Sequence, residues 1–167
     1  ANGQDVRGHT SLHLGSDSIM ILRKIRSEGL SHNSYFIADS GDAAVIDPRR
    51  DCQVYLDLAS SSASRITSVF ETHRNEDYVS GSLELSGRTG AAVYHGAALD
   101  FSFGRPVSEG DRFRIGRLEL AVLETPGHTR ESISLVMRDL SVSPDPLVIF
   151  TGDALFAGDV GRTDLFG

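Results

Sequence analysis

At 167 residues the chain is long enough for one domain with a sizeable core, and its hydrophobic fraction of 40% is ordinary for a globular protein. A formal net charge of −7 with no cluster of Lys or Arg argues against a nucleic-acid partner or an anionic membrane surface. No apolar run is long enough to span a bilayer, so no membrane partner is expected.

Residues 1–17 are polar and rich in Gly and Ser, lack the apolar centre of a secretory signal, and read as a flexible lead to a domain over 18–167. SIMILRKI (18–25) predicts a strand, followed by a turn at Glu28-Gly29; 33–39 and 43–48 predict two more, joined through Ser40-Gly41-Asp42. Residues 52–63 have helical spacing. Cys52 opens that helix and is the only cysteine, so an internal disulfide is impossible and a reducing, cytoplasmic setting fits. Arg49 and Arg50 nearby would lower its pKa, as a nucleophile requires, but no general base lies beside it in sequence.

RITSVFETH (65–73) predicts a strand and 79–90 a short helix ended by glycine. AAVYHG (91–96) is a further strand. FRIGRLELAVLETPGH (113–128) alternates at Leu118, Leu120 and Val122 and turns at Pro126-Gly127; SISLVMRD (132–139) and PLVIFTGD (146–153) flank a polar loop. There is no short internal repeat. The order of hairpins and single helices predicts an α/β protein of α+β type, with a mixed sheet covered by helices.

Four polar stretches fall at the ends of apolar strands: VIDPRR (45–50), FETHRNED (70–77), LETPGHTRES (123–132) and IFTGDALFAGD (149–159). Strand ends held by a rigid sheet are where such folds build sites. His73, His128 and Asp153 stand out there. Two neutral imidazoles and a carboxylate suit Fe(II), Zn(II) or a similar ion, either as the facial triad of a non-haem iron oxygenase or as a zinc site with water in the fourth position. Ligand type does not choose between these. A histidine is more often a surface or hydrogen-bonded residue than a ligand, which is the reading for His9, His13, His32 and His95, and Thr-Gly-Asp alone is commonly a turn.

These stretches resemble the metallo-β-lactamase superfamily, whose signature is THxHxDH, then TPGHT, then the aspartate of TGD. Within it they are most like the persulfide dioxygenases (sulfur dioxygenases) fused to rhodanese domains, through VIDPRRDCQVYLDLA, RITSVFETH, DYVSGSLELSGRTGAAVYH, LETPGHTRESISLV and FTGDALFAGDVGRTDLFG. The resemblance implies a four-layer αββα sandwich whose later part is missing after GRTDL, hence a homo-oligomer or further domains. It implies one Fe(II) per chain on His73, His128 and Asp153, with Zn(II) the alternative, and oxidation by O2 of a small-thiol persulfide such as glutathione persulfide to sulfite and thiol. It makes Asp77 a residue that orients a ligand or bound water. Tyr78 would donate a hydrogen bond to substrate or oxygen, or simply pack. Arg162 would hold a carboxylate of the thiol carrier, or pair with a nearby acid such as Asp159. Di-zinc hydrolases such as glyoxalase II need two further histidines, where this chain has Asn75 and Tyr78. A zinc thioester hydrolase and a non-catalytic domain that kept the fold are the alternatives, the latter favoured by Asn75.

Overall fold

The computed structural model describes residues 20–27, 32–74, 79–99, 101–156 and 158–163. The expected lead, 1–17, and the motif positions Asn75, Glu76, Asp77 and Tyr78 lie outside them. In chain order the elements are β1 (Ile21–Arg26), β2 (Asn33–Asp39), β3 (Asp42–Ile46), α1 (Gln53–Ser61), β4 (Arg65–Glu71), α2 (Ser82–Thr89), β5 (Ala92–Gly96), β6 (Arg105–Val107), β7 (Arg112–Ile115), β8 (Leu118–Glu124), β9 (Ile133–Asp139) and β10 (Val148–Phe150). A 3-10 turn (Gly152–Ala154) and a small hairpin of β11 (Leu155–Phe156) and β12 (Asp159–Val160) follow.

Strands β1 to β6 form one sheet in sequence order. Its first three strands are antiparallel; β3, β4, β5 and β6 then run parallel, with α1 and α2 as the crossovers β3–α1–β4 and β4–α2–β5. Ala43-Ala44-Val45-Ile46 is buried throughout, as a strand covered on both faces must be. Alternate residues explain why. Phe36, Ala38, Ala43, Val45 and Val69 meet Tyr55 and Ala59 of α1 and Leu85 of α2. Ile37, Ala44, Ile46 and Phe70 point the other way, into a second apolar cluster with Leu118, Leu120, Val122, Leu135 and Met137.

That second cluster lies between this sheet and a separate, antiparallel four-stranded sheet in the order β10–β9–β8–β7, which supplies Leu118, Leu120, Val122, Leu135 and Met137. The described residues therefore form helices on sheet on sheet, where periodicity alone predicted one mixed sheet. The alternating run at 113–128 is two strands rather than one. The chain reverses at Gly116-Arg117, where Gly116 takes φ +58 and a side chain would run into the Asp39 backbone. The Asp39 carboxylate accepts hydrogen bonds from the Arg117 backbone N–H (2.7 Å), Nε (3.2 Å) and Nη2 (2.7 Å), tying the two sheets together. Among the described residues no helix is long and apolar enough to cross a membrane.

Candidate metal centre

The parallel strands β3 and β4 end side by side. The next residues, Asp47 and Thr72, are both buried. Asp47 takes φ +49, a left-handed conformation that Asp tolerates better than most residues. This turn aims its carboxylate at Thr72, whose backbone N–H donates to Oδ1 (2.7 Å) and whose hydroxyl donates to Oδ2 (2.8 Å). Burial and the neighbouring Glu71 push the Asp47 carboxyl well above its ordinary value, against which the two Thr72 donors act.

With Asp47 ionised and the Thr72 hydroxyl donating to it, the Thr72 oxygen is an acceptor for His73 Nδ1–H, 2.9 Å away. The Nε2 lone pair of His73 is then left for the site. The same logic fixes His128 in the loop between β8 and β9. Its Nδ1 lies 3.0 Å from the Arg162 carbonyl, which can only accept, so Nε2 again carries the lone pair. Asp153, in the turn after β10, completes the group. Its Oδ2 is 3.8 Å from Nε2 of both His73 and His128, and the three ligand atoms all lie within 4.8 Å of one another. Gly152, at φ +51, lets this turn reach the site, since a side chain there would strike Thr72.

This donor set fits a divalent cation: two imidazoles with Nε2 turned inward, one carboxylate oxygen, and second ring nitrogens tied to the protein. Burial holds His73 below the usual imidazole value, with Asp153 acting against it, so the ring is in the neutral, ligating form near neutral pH. Exposure rises across the site, from 7% at the His73 side chain through 16% at His128 to 41% at Asp153. A ligand would enter from the Asp153 side.

Of the residues singled out from sequence, the structure brings His73, His128 and Asp153 together and sets Arg162 beside His128 through its main chain, in an exposed position. Asp77 and Tyr78 lie outside the described residues. Cys52 is buried with Sγ 3.3 Å from the Gly81 carbonyl, and burial raises its pKa where Arg49 and Arg50 were expected to lower it, in keeping with the reading that it is not a nucleophile. His32 and His95 are hydrogen-bonded as expected. His32 Nε2 donates to the Asp47 carbonyl (3.0 Å), and its Nδ1 lies 2.9 Å from the Ser27 hydroxyl. The buried His95 ring stacks on Phe101. Sequence reading missed Asp47 and Thr72 as supports for His73; the one signal was the polar break after each apolar strand.

The class these features define is a two-sheet α/β sandwich with a cation-type ligand cluster at its strand ends. A model of the metallo-beta-lactamase superfamily matches residues 27–167, and the chain belongs to that superfamily. It is 39% identical over 140 residues to a hydroxyacylglutathione hydrolase of Cereibacter sphaeroides, covering 80% of this chain and 52% of that one. To the mitochondrial persulfide dioxygenase ETHE1 of Bos taurus it is 30% identical over 166 residues, covering 92% and 60%. The crystal structure of ETHE1 from Myxococcus xanthus superposes with a TM-score of 0.78 at 34% identity, covering 87% of this chain and 63% of that one. The chain spans about half the length of the curated hydrolases it matches.

Proposed function

We propose that this chain carries the mononuclear metal centre of a persulfide dioxygenase, oxidising a low-molecular-weight thiol persulfide with O2 to sulfite and the free thiol. The observation that carries the reading is the set of His73, His128 and Asp153, in which both imidazoles have their second nitrogen tied and Nε2 turned toward Asp153. The relation to persulfide dioxygenases, which extends over nearly the whole chain, supports it. So do Asn75 and Tyr78, which stand where a dinuclear hydrolase would need further imidazoles.

In this reading His73 and His128 donate Nε2 and Asp153 a carboxylate oxygen to one Fe(II), which when bound supplies the electron transfer that lets O2 react with sulfur. The protein's part is positioning. Thr72 and the Arg162 carbonyl hold the two rings, and the buried His73 side keeps water away while the open Asp153 side admits the thiol carrier. Arg162 would hold a carboxylate of that carrier with its guanidinium, Tyr78 would hydrogen-bond the persulfide or oxygen, and Asp77 would orient a ligand. Electrons lost by the outer sulfur reduce O2. Both oxygens of O2 and one from water end in sulfite, and the thiol leaves protonated.

A second reading, a glutathione-thioester hydrolase using Zn(II), is favoured by the higher identity to hydroxyacylglutathione hydrolases. Loading the purified chain anaerobically with each metal separates the two. The dioxygenase reading expects about one iron per chain and oxygen uptake with glutathione persulfide. Two zincs with thioester cleavage would replace it by the hydrolase, and failure to take up either metal would leave a non-catalytic domain.

A further inference from the structure

We propose that Glu131 is a positioning residue that sets the spacing between the two imidazole ligands. It would do so by clamping the peptide after His73 to the loop that carries His128. The inference rests on the metal-centre reading above.

Glu131 is three residues beyond His128 and only 4% exposed, although it lies in a loop where a carboxylate would ordinarily face water. Burying a carboxylate is costly unless donors meet it. Its Oε1 accepts from the Arg74 backbone N–H at 2.8 Å, across 57 residues of sequence. On the other side of His73, the Thr72 carbonyl accepts from the Ile133 N–H at 2.7 Å. The residues flanking one ligand are thus both held by the segment that carries the other. That segment is itself braced. The Thr129 N–H and hydroxyl meet Ser132 Oγ at 3.2 and 2.7 Å, the Gly127 N–H reaches the Thr129 carbonyl, and the Thr125 N–H reaches the Ser132 carbonyl. His73 is therefore fixed twice: its ring through Thr72, and its backbone from the His128 loop. Only the second restraint relates one imidazole to the other. A side chain that does this must reach a main-chain N–H and accept from it, which Glu and Gln can do, whereas Asp is one methylene shorter and Ala has no acceptor.

The test compares Glu131→Ala, Glu131→Asp and Glu131→Gln in the full chain, stripped of metal and titrated with Co(II), following the visible absorption bands. Amide hydrogen exchange of Arg74 is measured without metal. The expected result is binding about 10–100-fold weaker for Ala and Asp, an altered Co(II) spectrum, faster Arg74 exchange, and recovery of most of the affinity by Gln. If Ala fails to fold, the Asp–Gln pair decides alone. Wild-type affinity in the Asp variant, or Asp binding better than Gln, would overturn the proposal, because charge rather than reach would then matter. If the wild-type chain binds no Co(II) while Arg74 exchange still responds to Glu131, the metal-centre reading fails and the clamp is merely structural.

Discussion

At the scale of single residues, the site depends on ring nitrogens that face away from it. Thr72 holds His73 Nδ1–H only because its own proton is committed to Asp47. Thr72→Val keeps the shape, deletes the acceptor and removes a donor from a buried carboxylate. Metal affinity should fall about 10–100-fold, with stability lower by about 1–3 kcal/mol; calorimetric Co(II) titration and urea unfolding read the two effects. Unchanged affinity would mean the tautomer of His73 is set elsewhere. Gly152→Ala tests the same point from the opposite side. A side chain at φ +51, pressed on Thr72, should cost roughly 1–3 kcal/mol and displace Asp153. A variant with wild-type melting temperature and metal affinity would show that the turn has room. The three candidate ligands were legible in the sequence because their chemical type and strand-end context are local properties. Asp47 and Thr72 were not, because their pairing spans 25 residues and needs Asp47 in a left-handed conformation that nothing in VIDP announces.

At the scale of elements, most strands and both helices could be read from apolar spacing, with ends that differ by a few residues: the helix expected over 52–63 runs Gln53–Ser61, and that over 79–90 runs Ser82–Thr89. The hairpin of β7 and β8 escaped because the alternation was followed only from Leu118 onward; Phe113 and Ile115 lie in the opposite phase, which shifts at Gly116-Arg117. The turn there is closed by a tertiary contact, the approach of Asp39 to Gly116. That contact also predicts a pH dependence. Burial acts to raise the Asp39 carboxyl, but hydrogen bonds from Arg117 and Ser40 outweigh it and hold the group below its ordinary value. The folded chain then binds fewer protons than the unfolded one. The contribution is complete above the unfolded carboxyl value of about 3.9 and is lost as pH falls through the lower folded value. Asp39→Asn should therefore be less stable near neutral pH and lose less stability on acidification, as urea unfolding across that range would show. Parallel acid profiles for the two proteins would remove Asp39 from the account.

At the scale of the whole molecule, the two sheets are fastened at opposite ends of β3. Asp39 pairs with Asp42 where β3 begins, and its bond to Arg117 closes that end. Where β3 finishes, His73 follows β4 of the six-stranded sheet, while His128 and Asp153 follow β8 and β10 of the four-stranded sheet. An ion held by all three would fasten that second end across the same apolar interface. Binding to the folded state alone adds about 2.7 kcal/mol at a free metal concentration of roughly a hundred times Kd. In a domain of this size each kcal/mol moves Tm by about 2–4 °C, so saturating Fe(II) or Co(II) should raise Tm by roughly 5–11 °C. His128→Ala should fold without metal, fail to take up the ion and show no rise; an equal rise in that variant would place the ion elsewhere. The location of the effect is a stricter test than its size. On metal removal, hydrogen exchange should quicken around Thr72–Arg74, Gly127–Thr129 and Thr151–Asp153, while amides near Asp39 and Arg117 keep their protection, because a tie at one end of a strand does not restrain the other.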